Sequence, residues 1–209
     1  MNKKFNVWAI AIIWLFHITA IIGIGIGYEE WFISKTPLNL LISSLLLFWV
    51  YPINSSKKII AFGLFWLGGM LAEWLGVHYA VLFGEYAYGA NFGPKLDGVP
   101  FLIGITWALL TFITASIAAY LVTKKSAQII LAASLMVLLD FFMEHSAPRF
   151  DFWSFEGAIA PIKNYVTWFV VAILFQTIVQ LFKIKGDLTF SINLYVAQLV
   201  FFVYFFLVF

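Results

Sequence analysis

Apolar residues run along this chain in seven long stretches, and the segments between them hold most of the charges. A helix needs about 20 apolar residues to cross the hydrocarbon core of a bilayer. The stretches cover residues 5–27, 38–53, 59–77, 99–122, 127–143, 165–182 and 188–208. The pattern therefore predicts an all-α integral membrane protein with about seven transmembrane helices, of which the second is short.

Composition supports this class. Hydrophobic residues make up 64% of the chain and charged residues 11%, whereas a soluble domain carries about 25% charged residues. We therefore expect residues 1–209 to form one polytopic domain in a lipid bilayer. The net charge of +2 gives no reason to expect nucleic acid as a partner, and the absence of cysteine excludes disulfides and thiolate sites. The first stretch is too long for a signal peptide, so it is interpreted as a retained span.

Most lysines lie in links that fall on the same side of the membrane when successive spans cross it in opposite directions. The pairs are Lys3 and Lys4, Lys57 and Lys58, Lys124 and Lys125, and Lys183 and Lys185. Under the positive-inside rule, this predicts a multi-pass protein of the cell's inner (cytoplasmic) membrane with a cytoplasmic N-terminus. The C-terminus and two long loops, about 79–98 and 145–164, then lie on the outer side.

The third and fourth spans repeat features of the fifth and sixth. Each unit has an acid followed five residues later by histidine, then an aromatic loop, then a proline and a tryptophan seven residues apart. The shared residues are Glu73, His78, Pro100 and Trp107 in the first unit and Asp140, His145, Pro161 and Trp168 in the second. Because both units cross the membrane in the same direction, they are predicted to be parallel internal repeats with a site at their interface.

Glu73 and Asp140 are the strongest catalytic candidates, because each carboxyl lies in an apolar helix. An ionised carboxylate in hydrocarbon costs several kcal/mol, so such a group faces the bundle interior, finds a partner or is protonated. A partly protonated carboxyl is what a general acid requires. The alternative is a structural polar bridge between helices.

Further acids add to these two. Glu144 lies one turn after Asp140 on the same helix face, and two carboxyls that close favour holding one proton between them. Glu85 lies in a glycine-containing loop and is a candidate second acid or water-orienting base. The alternatives are that Glu144 is solvated among the lipid headgroups and that Glu85 is an exposed loop residue.

Histidines and aromatic residues complete the candidate site. His145 is a catalytic candidate and His78 a substrate-binding one, whereas His17 is interpreted as a bundle histidine. Two histidines with carboxylates suit iron or zinc, but their spacing is not that of intramembrane di-iron enzymes, so no metal is predicted. The candidate substrate-binding aromatics are Trp74, Tyr86, Tyr88, Trp107, Trp153 and Trp168. Belt anchoring accounts for some of them, but in a cleft such rings also stack on a polyene and stabilise a carbocation.

Two blocks of sequence resemble the integral-membrane carotenoid biosynthesis proteins. The first block has E-x-L-G-V at 73–77, F-G-x-Y-x-Y at 83–88 and G-P-x-L-x-G-V-P at 93–100, followed by Trp107. The second has Asp140 in an apolar helix, then Pro148, Trp153 and P-x-x-N-x-x-x-W from Pro161 to Trp168. This family includes the carotenoid hydratases, of the bisanhydrobacterioruberin hydratase and γ-carotene or lycopene hydratase type.

The resemblance implies a cofactor-independent hydro-lyase. The expected reaction adds water across the terminal isopropylidene double bond of an acyclic carotenoid end and gives a tertiary alcohol. Asp140 and Glu73 would be the proton donor and the water-activating group, in either order, supported by Glu85, Glu144 and His145. Asn164, which lies in the P-x-x-N-x-x-x-W motif, is also expected to bind substrate. The implied partners are a carotenoid (lycopene, γ-carotene or a related acyclic-end carotenoid) and other carotenoid-pathway enzymes.

Three other functions fit the pattern. A carotenoid end-group cyclase also begins by protonating a terminal alkene and differs in excluding water. Seven spans with parallel repeats also suit a small transporter, and an assembly factor for pigment enzymes would not depend on the acids.

Overall fold

A computed structural model describes residues 3–51 and 53–209, without the side chains of residues 3–5. Seven of its helical segments are long and apolar enough to cross a membrane, which confirms the predicted number. The helices are α1 (Lys3–Gly25), α2 (Glu29–Ile33), α3 (Thr36–Val50), α4 (Ser56–Tyr79), α5 (Phe101–Leu121), α6 (Lys125–Ser146), α7 (Ile162–Phe182) and α8 (Leu188–Val208). The described chain is thus a multi-pass, all-α membrane protein.

The second span differs most from its predicted bounds. It consists of the short helix α2 and the longer helix α3, joined by a turn at Ser34 and Lys35. Pro37 lies in the first turn of α3, where its missing N–H costs no hydrogen bond. The helix ends at Val50 rather than at 53, because a residue that precedes a proline, as Tyr51 does, disfavours the helical conformation.

The two long loops contain four short strands that were not predicted. They are β1 (Tyr86–Tyr88), β2 (Lys95–Leu96), β3 (Val99–Pro100) and β4 (Trp153–Phe155). β2 and β3 form a hairpin within the first loop. β1 pairs antiparallel with β4, so a two-stranded ribbon joins the two loops.

The register of this ribbon agrees with the predicted repeat. β1 begins 13 residues after Glu73, and β4 begins 13 residues after Asp140. The pairing is Tyr86 with Phe155, Ala87 with Ser154, and Tyr88 with Trp153. A twofold rotation about the middle of the ribbon exchanges the two strands and leaves this pairing unchanged. The ribbon therefore pairs equivalent positions of the two predicted units.

Helix α5 is the buried centre of the bundle. Within its apolar stretch 83% of residues are buried, whereas the corresponding share in the other spans is 28–39%. The hydroxyls of its threonines do not need partners from other helices, because Thr106, Thr111 and Thr114 each donate to a backbone carbonyl one turn earlier. A polar residue of this kind is therefore tolerated at the centre of the bundle.

Candidate active site

Glu73 lies on α4 and is 3% exposed. Its Oε2 atom accepts hydrogen bonds from the hydroxyls of Tyr86 at 2.6 Å and Tyr88 at 2.7 Å. Its Oε1 atom accepts a hydrogen bond from Nε1–H of Trp107 at 2.9 Å. Three donors aimed at one carboxyl match an ionised acceptor, because hydrogen bonds to a carboxylate are stronger than those between neutral groups.

The two tyrosines come from strand β1 in the first loop. Burial raises the pKa of both phenols, and the nearby Glu73 carboxylate raises the pKa of each further. Both phenols therefore keep their protons and remain hydrogen-bond donors at physiological pH. The two tyrosines are two residues apart on the strand and therefore point to the same face, so both hydroxyls reach Glu73.

Asp140 and Glu144, one turn apart on α6, share a single amide. Nδ2 of Asn164, on α7, donates to Oδ2 of Asp140 at 3.1 Å and to Oε1 of Glu144 at 2.9 Å. The other Glu144 oxygen accepts from Nε1–H of Trp153, in β4, at 2.7 Å. Two charged carboxylates this close repel each other, so one proton shared by the pair lowers its energy.

The second carboxyl oxygen of Asp140 differs from the other carboxyl oxygens of the cluster in its hydrogen bonding. Oδ1 is buried and has no hydrogen-bond partner in the described part of the chain. A buried polar atom is nearly always hydrogen-bonded, and a carboxylate left unpaired in an apolar interior is costly. A proton on the Asp140–Glu144 pair removes much of this cost, which makes the pair a suitable proton store.

The two repeats meet at a pair of tryptophans. The rings of Trp107, on α5, and Trp168, on α7, stack with their centroids 3.7 Å apart and their planes 13° from parallel. These are equivalent residues of the two units, so the stack lies near the twofold axis. It holds α5 and α7 together beneath the acids.

Between the acids lies a cavity of about 10 Å³. A volume of roughly 10–15 Å³ on this measure holds one water molecule. Its walls are formed by Glu73, Phe83, Tyr86, Tyr88, Ile103, Glu144, Trp153, Phe155, Asn164 and Trp168. The cavity therefore joins the acids of the two repeats and surrounds them with aromatic rings.

Most of the predicted site residues meet here. Of the acids, Glu73 and Glu144 line the cavity, and Asp140 is joined to it through Asn164. All the predicted aromatic residues except Trp74 line it or contact Glu73. The sequence interpretation did not assign Phe83, Ile103 and Phe155 to the site. Phe155 could have been found from its position, because it follows Asp140 at the distance at which Tyr88 follows Glu73.

Four predicted residues lie elsewhere. Glu85 is exposed on the loop, and His145 is exposed with its ring against Phe206. His78 and Trp74 both contact Asp97 on the surface, where the Nε1–H of Trp74 donates to its carboxylate at 2.8 Å. The structure therefore does not bring these four side chains to the acids.

This arrangement provides a proton store, a carboxylate with three donors and space for a water molecule, all inside an aromatic shell. Such a site can give a proton to an apolar molecule, stabilise the resulting cation through ring faces and accept a proton from water.

Comparison with known proteins gives one match. A family model described as "Carotenoid biosynthesis protein" matches residues 35–209, which include every residue of the site. Neither the curated proteins nor the solved structures contain a match to the chain.

Proposed function

Because the chain belongs to the carotenoid biosynthesis protein family, we propose that it is a carotenoid hydratase. It would add water across the terminal isopropylidene double bond of an acyclic carotenoid end, such as those of lycopene and γ-carotene. The product is a tertiary alcohol. The observation that carries this proposal is the water-sized cavity between Glu73 and Glu144, since hydration needs an acid, a base and one water in contact.

The first step is protonation of the alkene. The Asp140–Glu144 pair gives its shared proton to the less substituted carbon of the double bond, and positive charge develops on the carbon that bears two methyl groups. Of the two orders that the sequence leaves open, we propose the one in which the α6 pair is the donor. Glu144 delivers the proton because it lines the cavity. Asp140, held beside it by the Asn164 amide, keeps that proton on Glu144 because two adjacent carboxylates repel each other.

Water then captures the cation. Ring faces of Tyr86, Trp153 and Trp168 stabilise the positive charge until a water molecule forms the new C–O bond. The oxygen loses one proton to Glu73, whose hydrogen bonds from Tyr86, Tyr88 and Trp107 suit a carboxylate. Glu144 gives one proton to the alkene, and Glu73 receives one from the water, so the reaction consumes no net proton. The proton on Glu73 then returns to Glu144 through the cavity between the acids.

Co-expression tests this function. The gene is expressed in bacteria that make lycopene or γ-carotene. The pigments are separated by chromatography, and their molecular masses are measured by mass spectrometry. Wild-type protein is expected to give a product heavier by one water for each reacted end. Glu73→Gln and Glu144→Gln should each lower the yield about 100-fold or more, the usual contribution of one acid–base group.

The matched control is Glu156→Gln, the same change at an exposed loop acid, which should keep full activity. Membrane insertion of every variant is checked by detergent extraction and gel filtration. A cyclised product with the mass of its substrate would replace the hydratase proposal with a cyclase. Full activity in both acid variants would refute the assigned site.

We also propose that the protein lies in the cytoplasmic membrane with its N-terminus inside. The lysine pairs at alternate links support this orientation. Alkaline phosphatase fused after Phe209 is expected to be active, because it would be exported, and phosphatase fused after Lys125 should be inactive. The reverse pattern would place the acid cluster at the cytoplasmic end of the bundle.

A further inference from the structure

The described residues also enclose a second and much larger cavity. It has a volume of about 410 Å³, within the roughly 300–1,000 Å³ of small-molecule sites. Helices α1, α3 and α8 surround it, and exposed Trp31 and Leu38 stand at its mouth. Its walls are mostly apolar and include Phe16, Ala20, Phe32, Leu139, Met143 and Phe202.

This cavity is separate from the acid cluster. Leu139 and Met143 face it from α6, whereas their neighbours Asp140 and Glu144 turn toward Asn164. Phe92 also lines the cavity, and its ring lies against Trp153 with the centroids 5.6 Å apart. One layer of side chains thus divides the two spaces, and no acid of the cluster lines the larger one.

Gln198 brings a polar group into this apolar space. Its side chain is 8% exposed, and its Oε1 atom is buried without a hydrogen-bond partner in the described part of the chain. Gln176, the other buried glutamine, donates a hydrogen bond to the carbonyl oxygen of Thr111, and the partly buried Gln128 and Gln180 also donate. A buried amide oxygen without a donor costs about 1–3 kcal/mol, so Gln198 is suited to a donor that comes from outside the chain.

His17 provides a second acceptor in the same cavity. The ring is 5% exposed, and its Nδ1 atom lies 2.8 Å from the carbonyl oxygen of Ile13. Because a carbonyl oxygen can only accept, Nδ1 carries the hydrogen, and Nε2 of the neutral ring is then an acceptor. No donor among the described residues contacts Nε2. Two acceptors in an apolar cavity call for a ligand that has a long apolar body and one donor.

We propose that this cavity is a binding site for an apolar chain that ends in a hydroxyl group, the chemistry of an isoprenoid or fatty alcohol. The chain fills the space between α1, α3 and α8. The hydroxyl donates its hydrogen to Gln198 or His17, and a pure hydrocarbon would leave both acceptors unpaired. The site goes beyond the hydratase proposal, which involves neither Gln198 nor His17.

Binding of tritiated all-trans-retinol to the purified full chain tests this site. Unlabelled retinol and its deoxy analogue, which has a methyl group in place of the hydroxymethyl group, are used as competitors. Wild-type protein is expected to show saturable binding and to prefer retinol about tenfold, the effect of one net hydrogen bond. Gln198→Leu should lower that preference severalfold, since only His17 then remains as an acceptor, without weakening binding of the deoxy analogue.

Two further variants test whether retinol binds in this cavity and whether the preference depends on Gln198 in particular. Ala20→Phe fills the cavity and should abolish saturable binding of both compounds. Gln180→Leu makes the same chemical change on α7, outside the cavity, and should retain the preference for retinol. Should Gln198→Leu fail to give a single gel-filtration peak, His17→Phe takes its place and is expected to lower the preference severalfold.

The proposal is overturned if wild-type protein binds retinol and its deoxy analogue equally, or if Ala20→Phe still binds retinol saturably. An unchanged preference in both Gln198→Leu and His17→Phe would also refute it. Glu73→Gln is expected to bind retinol as the wild type does. The binding assay needs no turnover, so its result is independent of whether the acid cluster hydrates carotenoids.

Discussion

At the scale of single residues, Glu73 is defined by its three donors. Tyr86 and Tyr88 reach it from β1, and Trp107 reaches it from α5, so two elements orient one carboxyl that belongs to a third. Hydrogen bonds to a charged group contribute about 1.5–3 kcal/mol each. Removing one donor should therefore destabilise the ionised form of Glu73 without emptying the site.

Trp107→Phe tests this role. The variant keeps an aromatic ring against Trp168 but loses the Nε1–H that donates to Glu73, so hydration should fall about tenfold or more. Trp168→Phe is the comparison variant, because it makes the same change in the other ring of the stack, keeps an aromatic ring at the cavity and removes no hydrogen bond to Glu73, so a smaller loss is expected. Pigment yield per amount of membrane-inserted protein is the measurement. Equal losses in the two variants would assign the effect to the stack and not to the donor.

At the scale of elements, α4 carries Glu73, the proposed base, and also leaves room for the loop that covers it. Gly76 lies one turn beyond Glu73 on the same helix. A Cβ atom at this position would lie 2.6 Å from the Phe83 ring and 2.7 Å from the Tyr86 hydroxyl. The glycine therefore allows the first loop to pack directly on the helix and to aim Tyr86 at Glu73.

Gly76→Ala should push these two side chains away from α4. We expect the hydration yield to fall about tenfold, because Tyr86 would lose its 2.6 Å contact with Glu73. Gly63→Ala provides the control on the same helix, since nothing lies within 4 Å of a Cβ atom there. It should keep activity and, if anything, raise thermal stability in detergent, because alanine is the better helix former. Full activity of Gly76→Ala would show that the loop adjusts at no cost.

At the scale of the whole molecule, the site exists because two repeats meet. α4 supplies Glu73, α6 supplies Asp140 and Glu144, and α7 supplies Asn164. The β1–β4 ribbon closes the loop end of the bundle, and the Trp107–Trp168 stack joins the units below it. Neither repeat alone encloses the cavity, so the relative position of the two units decides whether the acids face each other.

A disulfide can test this arrangement. Ala87 and Ser154 lie directly opposite each other in the ribbon, and both are exposed. The double variant Ala87→Cys and Ser154→Cys should form a disulfide under mild oxidation, detected as loss of free thiol by mass spectrometry. The chain has no cysteine of its own, so the background is zero. Ala87→Cys with Glu156→Cys is the control, two residues out of register, where the Cβ atoms are too far apart for efficient bonding. Equal bonding in both pairs would contradict the register.

By itself, the sequence determined the spans, the repeat and the carboxyls inside the membrane. These features follow from hydropathy and helical spacing, which act along the chain. Asp140 and Glu144, four residues apart, were expected on one helix face, and Asn164 bridges them. The family expectation also came from residues in order, and the match to residues 35–209 confirms it.

Only the tertiary structure decided which loop residues belong to the site. Glu85 and Tyr86 are neighbours in sequence, but the strand directs one outward and the other to Glu73. His145 follows Glu144 directly, yet one residue turns a helix by about 100° and places the imidazole against Phe206. The ribbon, the shared amide and both cavities depend on contacts between segments far apart in the chain. Such contacts are set by packing in three dimensions, whereas the hydropathy pattern records only which residues avoid water.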